Sequence, residues 1–304
     1  MLPLAREKTL WCLTHSSVDA SWLTRYHLYM HLELYRRFVD LRATADTVGK
    51  LMPYDWTAMP KQLNPMWMVY SEMLDDFARE LANSINAFTL NVRRLSAWET
   101  LMTSLDEEEK GEVLHEFIEP SATLCLLTPY VLRSRLVFAT AHLCHQVNLT
   151  REANWPESSL PMDDKIWMDS ADRQGARWRK YNRLKTCIEA IGGRQLRQAT
   201  ADFRNTFTHR FSPRVGTGTT NFVTRHFDSA TGKAHYSFGG TEPLDVKRLT
   251  ALLVAGLDRC YAAFAAFRAL VCEQVAYVIE KNAEMVATID RGLDIGPAPE
   301  TRPA

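Results

Sequence analysis

Residues 66–103 read MWMVYSEMLDDFARELANSINAFTLNVRRLSAWETLMT, and this stretch decides the fold class. Its apolar side chains recur at steps of three and four residues, at Leu74, Phe77, Leu81, Ile85, Phe88, Val92 and Leu95. Because an α-helix turns once in about 3.6 residues, this spacing lines one helical face with apolar groups. A second long apolar helical pattern extends from Leu244 to Glu284. Together the two patterns predict an all-α helical bundle with long amphipathic helices.

The stretches between and around these two helices indicate further helices and one β-hairpin. Helices are expected over residues 17–41, from a capping box at 104–107 to about Pro120, over 121–149 with Pro129 able to break it, over 173–191, and from 195 into 203. Residues 49–65 and 150–172 read as irregular connections, the second with a short helix. Residues 222–227 and 234–238 have strand-like composition around a turn, which predicts a hairpin inserted near 222–238, before the last helix.

These patterns divide the chain into three regions. We expect an N-terminal helical extension over residues 1–64, the helical bundle over 65–290, and a disordered proline-containing tail over 291–304. Hydrophobic residues make up 46% of the chain and charged residues 24%, as in ordinary soluble globular proteins.

Cysteine usage and hydropathy predict a cytoplasmic protein. The six cysteines form no Cys-x-x-Cys pair and lie in apolar helical patterns, as small buried hydrophobic residues do. Residues 1–8 lack the apolar core of a signal peptide. Charged residues interrupt the apolar stretch 249–279, which argues against a membrane span, so no membrane partner is expected.

The basic side chains are concentrated in one zone of a chain whose net charge is zero. Between Arg173 and Arg214 eleven Lys or Arg residues face only Glu189 and Asp202, a net of +9 that leaves −9 for the rest. Such a zone favours a polyanionic partner, although a solvated helix face balanced by neighbouring acids is the alternative. If the partner is RNA, the candidate phosphate-binding residues are Arg179, Lys180, Arg183, Arg197, Arg210 and Arg214.

The basic zone ends in residues 202–213, DFRNTFTHRFSP, which combine groups suited to RNA cleavage. Imidazole in general titrates near ~6.5, which makes histidine, here His209, suited to proton exchange near neutrality. The Arg204 guanidinium stays charged and matches phosphate oxygens with a planar fork of donors. Asn205 can orient a hydroxyl or hold the histidine tautomer. Together these groups can activate a ribose 2′-hydroxyl and stabilise the phosphorane that follows.

The spacing of Arg204 and His209 limits how they can act together. Five steps along an unbroken helix place their side chains roughly 140° apart, so they do not share a face. A joint site therefore requires the helix to end between them, or a second subunit to bring its own copy. Pro213 disfavours helical geometry at Ser212, so the helix is expected to end near His209. The alternative is structural, with Arg204 a surface cation and His209 a helix C-cap.

Three other histidine groups are weaker candidates for metal binding. They are His27 with His31, Glu112 with His115, and the cluster of His142, Cys144 and His145. The first pair has no evident third ligand, and the second supplies only half of the ligand pattern of a helical di-iron site. The third reads as a buried cysteine flanked by polar histidines. The sequence therefore predicts no metal and no cofactor.

The segment Arg204–His209 resembles the signature of the HEPN superfamily, in which an arginine and a polar residue precede a short spacer and a histidine. The resemblance covers these six residues and, loosely, the helical pattern from about 65 to 285. It implies a metal-independent endoribonuclease of the toxin or antiviral-defence type, with catalytic roles for Arg204, Asn205 and His209 and a 2′,3′-cyclic phosphate product. It also implies a homodimer that brings two motifs together, and an antitoxin as a partner. Other members bind a nucleotide, RNA or a protein without cleavage, and that alternative stays open.

Overall fold

The protein is an all-α bundle that carries one small β-hairpin, as the sequence predicts. The computed structural model describes residues 32–43, 48–56 and 58–293, with side chains up to residue 287. In chain order the elements are α1 (residues 32–43), α2 (Met68–Met102), α3 (Glu107–Val113), α4 (Glu119–Arg151), α5 (Met168–Gly175), α6 (Tyr181–Ala190), α7 (Arg194–Ala199), α8 (Phe203–His209), β1 (Val223–Asp228), β2 (Lys233–Phe238) and α9 (Val246–Leu293).

Helix α2 lies at the centre of the core and packs against α4 and α9. Leu74, Ile85 and Val92 of its predicted apolar face are fully buried. Burial of each such side chain stabilises the fold by about 1.5–3 kcal/mol, so this face organises the bundle. Helix α1 joins the same core, because Phe38 stacks on Trp98 with ring centroids 4.1 Å apart.

Polar side chains of α2 and α9 hold the irregular segment that follows α1. The Asn86 amide brackets Met52, accepting from its N–H at 2.6 Å and donating to its carbonyl at 3.1 Å. The Tyr261 hydroxyl accepts from the N–H of Lys50 at 3.0 Å. These bonds satisfy backbone groups that the core would otherwise leave unpaired.

The capping box predicted at Ser104 lies two residues later. Asp106 accepts the N–H of Glu109 at 2.9 Å, and Glu109 accepts the N–H of Asp106 at 3.1 Å. The Ser104 hydroxyl is already engaged, since it donates to the Leu101 carbonyl at 2.8 Å and helps to close α2. The prediction of a cap was right in kind and wrong in position.

The helix expected to end near Pro120 instead continues to the end of α4. A π-helical turn over Leu114–Ile118 joins α3 to α4, and Pro120 lies in the first turn of α4. A π-turn already interrupts the regular hydrogen-bond ladder, so the missing N–H of proline removes little at this position. Pro129 also lies inside α4 without ending it.

The basic segment predicted as one helix over residues 173–191 is two helices, α5 and α6. Gly175 ends α5, and a Cβ at this position would lie 2.2 Å from the Tyr181 ring that begins α6. The next helix, expected to continue into the motif, is also interrupted. Ala201 and Asp202 separate α7 from α8 with left-handed φ angles of 50° and 52°. Neither break follows from the helix periodicity alone.

The predicted hairpin is confirmed to within one residue at each strand boundary. Strand β1 pairs with β2 in antiparallel register, with His226 opposite His235. Gly232 in the turn has a φ of 67°, a conformation that glycine adopts without strain.

Two helical stretches, Glu107–Arg151 and Val246–Ala287, are long and apolar enough by length and composition to cross a membrane. Both also supply buried side chains to the core. The predicted first helix is described only from residue 32, and the tail beyond 293 and the His27–His31 pair lie outside the described residues.

The cysteines of the described residues are free thiols. Burial raises the pKa of Cys125 and of Cys260 to about 12, and Cys144 is buried as well, as expected of small hydrophobic residues. Cys272 departs from that expectation because it is exposed.

Candidate functional site

Helix α8 carries the Arg204–His209 motif between a left-handed turn and an extended segment. It begins at Phe203, whose ring is buried where α8 packs on α4. It ends at His209, and the N–H of Arg210 closes the last turn onto the Thr206 carbonyl at 2.7 Å. Arg210 itself has extended backbone angles. The predicted helix end near His209 is therefore confirmed.

Arg204 lies beside Tyr130 of α4, with its guanidinium carbon 6.0 Å from the ring centroid. Burial raises the pKa of Tyr130, and the Asp202 carboxylate adds to the rise, whereas Arg197, Arg204 and Arg133 lower it. The Tyr130 hydroxyl is buried and makes no hydrogen bond within the described chain. Three guanidinium groups and one carboxylate thus act on the Tyr130 phenol, and these side chains are called the Tyr130 cluster below. Its net charge is positive, since three arginines face one aspartate.

His209 lies at the opposite end of α8 and is exposed. Among the described residues its ring makes no hydrogen bond or ion pair. Asn205 is half-buried next to Arg204. Arg204 and His209 belong to one helix, about 7.5 Å apart along its axis and roughly 140° apart around it. A single chain therefore does not bring the two side chains onto one face.

A cleft of about 300 Å³ opens beside the end of α8. Arg210 and Arg214 line it together with Glu119 of α4. Arg214 donates to one Glu119 oxygen at 3.0 Å, and Nδ1 of His115 lies 3.6 Å from the other. The exposed ring of Phe211 also lines the cleft. The cleft therefore presents cations and an aromatic ring around one carboxylate.

Glu119 was not among the residues that the sequence singled out. The sequence pairs His115 with Glu112 as a weak metal candidate. In the structure His115 lies next to Glu119, four residues further on. The signal was present in the sequence, because side chains four positions apart on a helix are neighbours. The contact with Arg214 crosses 95 residues of sequence, and no local pattern could indicate it.

About half of the basic zone is neutralised by acids outside it. The ion pairs are Arg173–Asp169, Arg177–Glu152, Arg179–Glu273, Lys185–Asp172 and Arg214–Glu119. Eleven basic residues less these five leaves Lys180, Arg183, Arg194, Arg197, Arg204 and Arg210 with no ion pair inside the described ranges. The uncompensated charge thus includes Arg204 and four of the six predicted phosphate-binding residues.

The predicted phosphate-binding residues fall into three groups. Arg179 and Lys180 lie before α6, where both backbone N–H groups donate to Glu273 of α9, at 3.2 and 3.0 Å. The Arg179 side chain also reaches Glu273 but stays 86% exposed, and Arg183 is exposed on α6. The second group is Arg197 at the Tyr130 cluster. The third is Arg210 with Arg214 at the cleft.

Cys144 is buried, as the sequence predicts, and the flanking His142 and His145 are buried with it. His142 lies 3.2 Å from Asp163, and burial lowers the pKa of His142 below its usual value. His145 accepts the indole N–H of Trp155 at 3.3 Å. These contacts fasten the loop after α4 onto that helix, so both histidines have a structural role.

No group of three or more His, Cys, Asp or Glu residues close enough to hold a metal ion occurs within residues 32–43, 48–56 and 58–293. Comparison with protein-family models, with curated proteins and with solved structures finds no match to this chain.

Proposed function

We propose that this protein is an endoribonuclease of the HEPN type, with Arg204, Asn205 and His209 as its catalytic residues. The observation that supports the proposal is the surroundings of His209 and Arg204 on helix α8. His209 ends the helix exposed and without a hydrogen-bond partner in the described chain, while Arg204 makes no ion pair there and belongs to the Tyr130 cluster, in which three arginines face one carboxylate. A general base must present a ring nitrogen to the substrate, and a phosphate clamp must offer positive charge.

In the proposed reaction His209 removes the proton from a ribose 2′-hydroxyl. The 2′-oxygen then attacks the adjacent phosphorus, and the bond from phosphorus to the 5′-oxygen breaks. The leaving oxygen takes a proton from a protonated imidazole or from water, which leaves a 2′,3′-cyclic phosphate and a 5′-hydroxyl. Arg204 stabilises the charge on the phosphorane oxygens, and Asn205 orients the attacking hydroxyl. All three residues belong to α8.

The proposed enzyme is a homodimer, because one copy of α8 directs Arg204 and His209 to different faces. A second copy related by a two-fold axis would set His209 of one chain opposite Arg204 of the other. The interface that we propose lies near residues 204–214, the range that also contributes Arg210 and Arg214 to the cleft. The setting that we propose is a reducing cytoplasm, where an antitoxin would restrain the activity.

The same divergence of Arg204 and His209 also favours a second function. A chain that never pairs its motif helices would hold RNA or a nucleotide at the Tyr130 cluster without cleaving it. In this function Arg204 is a binding residue and His209 only a helix cap. Both functions include binding of RNA, but only the first includes its cleavage.

The test is incubation of the purified protein with single-stranded RNA in EDTA. We expect cleavage that survives chelation and yields cyclic-phosphate ends. His209→Ala should lower the rate by about 10²–10⁴-fold, the usual worth of a general acid–base group. Arg204→Lys keeps the charge but loses the planar fork, so it should also slow turnover.

The matched control is His235→Ala, which removes an exposed histidine from the hairpin and should leave the rate unchanged. Binding of RNA without any cleavage would favour the second function. Cleavage by His209→Ala at the wild-type rate, in a preparation free of contaminating nuclease, would reduce the motif to a helix cap.

A further inference from the structure

The β-hairpin has one aromatic face and one polar face. Cross-strand partners in an antiparallel pair point to the same side, so the register assigns each residue to a face. One face consists of Val223, Arg225, Phe227, Ala234, Tyr236 and Phe238, and is called the aromatic face below. The other consists of Thr224, His226, Asp228, Lys233, His235 and Ser237.

The aromatic face is exposed to solvent. Phe227 and Tyr236 are each 60% exposed, Val223 52% and Phe238 86%. An aromatic side chain offers about 150–250 Å² of surface, so roughly 400–500 Å² of apolar area on this face meets water. Patches of that size on a monomer are often functional. An isolated two-stranded hairpin is also only marginally stable, and a ligand on this face would add to its stability.

The base of the hairpin is fastened to the end of the motif helix. The Asn221 amide donates to the Phe211 carbonyl at 3.1 Å, and the Thr220 hydroxyl donates to the Ser212 carbonyl at 3.3 Å. Phe211 and Thr220 both line the cleft that also holds Arg210 and Arg214. The hairpin that carries the aromatic face therefore begins beside this cleft, after the end of α8.

The charge on the aromatic face distinguishes between two occupants, a second copy of this chain and a single-stranded nucleic acid. Its one full charge is Arg225, in the middle of β1, with its guanidinium carbon 5.9 Å from the Phe227 ring centroid. A second copy seated face to face would bring two Arg225 side chains together in an apolar contact. Such a pairing would bury roughly 900 Å² in total, which is below the ~1,200 Å² of specific interfaces. A second copy fits this face poorly.

A single-stranded nucleic acid fits it well, because its bases have planar π-faces that stack on aromatic rings and its backbone is anionic. Bases stack on exposed aromatic rings, and a neighbouring arginine contributes both charge and stacking. We propose that the aromatic face of the hairpin binds single-stranded RNA by base stacking and holds it beside the end of α8. The identity of the ligand rests on the proposed function. The aromatic face would be a second protein surface that binds the strand to be cleaved.

The test uses a probe that the enzyme cannot cleave, a fluorescent 2′-O-methyl uridine oligomer without free 2′-hydroxyls. Fluorescence anisotropy should show that Tyr236→Ala and Phe238→Ala each weaken binding by roughly 5- to 150-fold, the range for loss of one stacked base. Phe238→Trp should keep the affinity, whereas Phe238→Leu should lose it, because leucine is apolar but does not stack. Arg225→Ala should lower the slope of log affinity against log salt by about one.

Thr224→Ala is the matched control, since it alters the polar face of the same strands and should leave binding unchanged. Wild-type affinity in Tyr236→Ala and Phe238→Ala would overturn the proposal, as would absence of probe binding by the wild-type protein. A shift of these variants to monomer in sedimentation, with unchanged affinity, would instead make the aromatic face a contact between copies.

The outcomes separate this proposal from the proposed function. If the probe binds through the hairpin but RNA is never cleaved, the nuclease proposal fails and the stacking surface stands. If RNA is cleaved and the aromatic variants bind and cleave like the wild type, the nuclease proposal stands and the stacking surface fails.

Discussion

Mixing two inactive variants tests whether the catalytic site is shared between chains. Arg204 and His209 lie five positions apart in α8 and point roughly 140° apart, so the proposed function requires two chains to complete one site. Arg204→Ala keeps a wild-type His209, and His209→Ala keeps a wild-type Arg204. A dimer that contains one chain of each kind therefore retains one intact pair, formed across the interface.

The expected activity of the mixture follows from the fraction of mixed dimers. Random exchange of equal amounts gives half mixed dimers, and each mixed dimer keeps one of its two cross-subunit pairs. The mixture should therefore recover about a quarter of wild-type activity, while each variant alone stays near background. Neither substitution should unfold the protein, because both side chains are exposed.

The assay is RNA cleavage in EDTA after the two purified variants have exchanged subunits. Different affinity tags on the two variants allow the mixed dimer to be isolated and its amount measured. Mixed dimers that are demonstrably present and no more active than the parents would refute the shared site. Full activity of a protein that sediments as a monomer would refute it as well.

Three further predictions concern the fold. Phe38→Ala should lower the free energy of unfolding by about 3–5 kcal/mol in urea titrations, because it removes a buried ring stacked on Trp98, and an unchanged midpoint would mean that α1 does not pack there. Burial holds the pKa of His142 below 6.5, so the neutral ring is favoured in the folded state. The stability that this confers is present above about pH 6.5 and lost as pH falls through the folded pKa, and His142→Gln should flatten that dependence in thermal melts. Ala201→Gly should raise the free energy of unfolding by about 1 kcal/mol, since Ala201 has a φ of 50°, and a lower melting temperature would contradict the assigned conformation.

The long helices were predictable because their signal is local and repeated. The apolar face of α2 needs only the spacing of Leu74, Ile85 and their neighbours, and the hairpin needs only alternation around a turn. Several helix boundaries other than the end at His209 were predicted wrongly. The helix stop predicted near Pro120 is absent, because a π-turn leads into α4 and Pro120 lies in the first turn of that helix, where its missing N–H costs little.

The candidate site was predictable in its residues but not in its surroundings. The types and order of Arg204, Asn205 and His209 are visible in the sequence, as is the end of the helix at His209. The place of Arg204 beside Tyr130, and of Arg214 beside Glu119, depends on contacts across 74 and 95 residues. No periodicity reports such contacts, because they are products of the tertiary fold.

The turn between α7 and α8 shows how local strain positions the site. Gly192 marks the preceding break with a φ of 62°, a conformation that glycine adopts freely. The second break uses Ala201 and Asp202, where a left-handed backbone costs about 1–2 kcal/mol per residue. A hydrogen bond from the N–H of Asp202 to the Arg197 carbonyl, at 2.7 Å, holds this turn. The strained turn thus joins the two helices whose arginines, Arg197 and Arg204, both lie beside Tyr130, and a glycine there would relieve the strain but loosen the link between them.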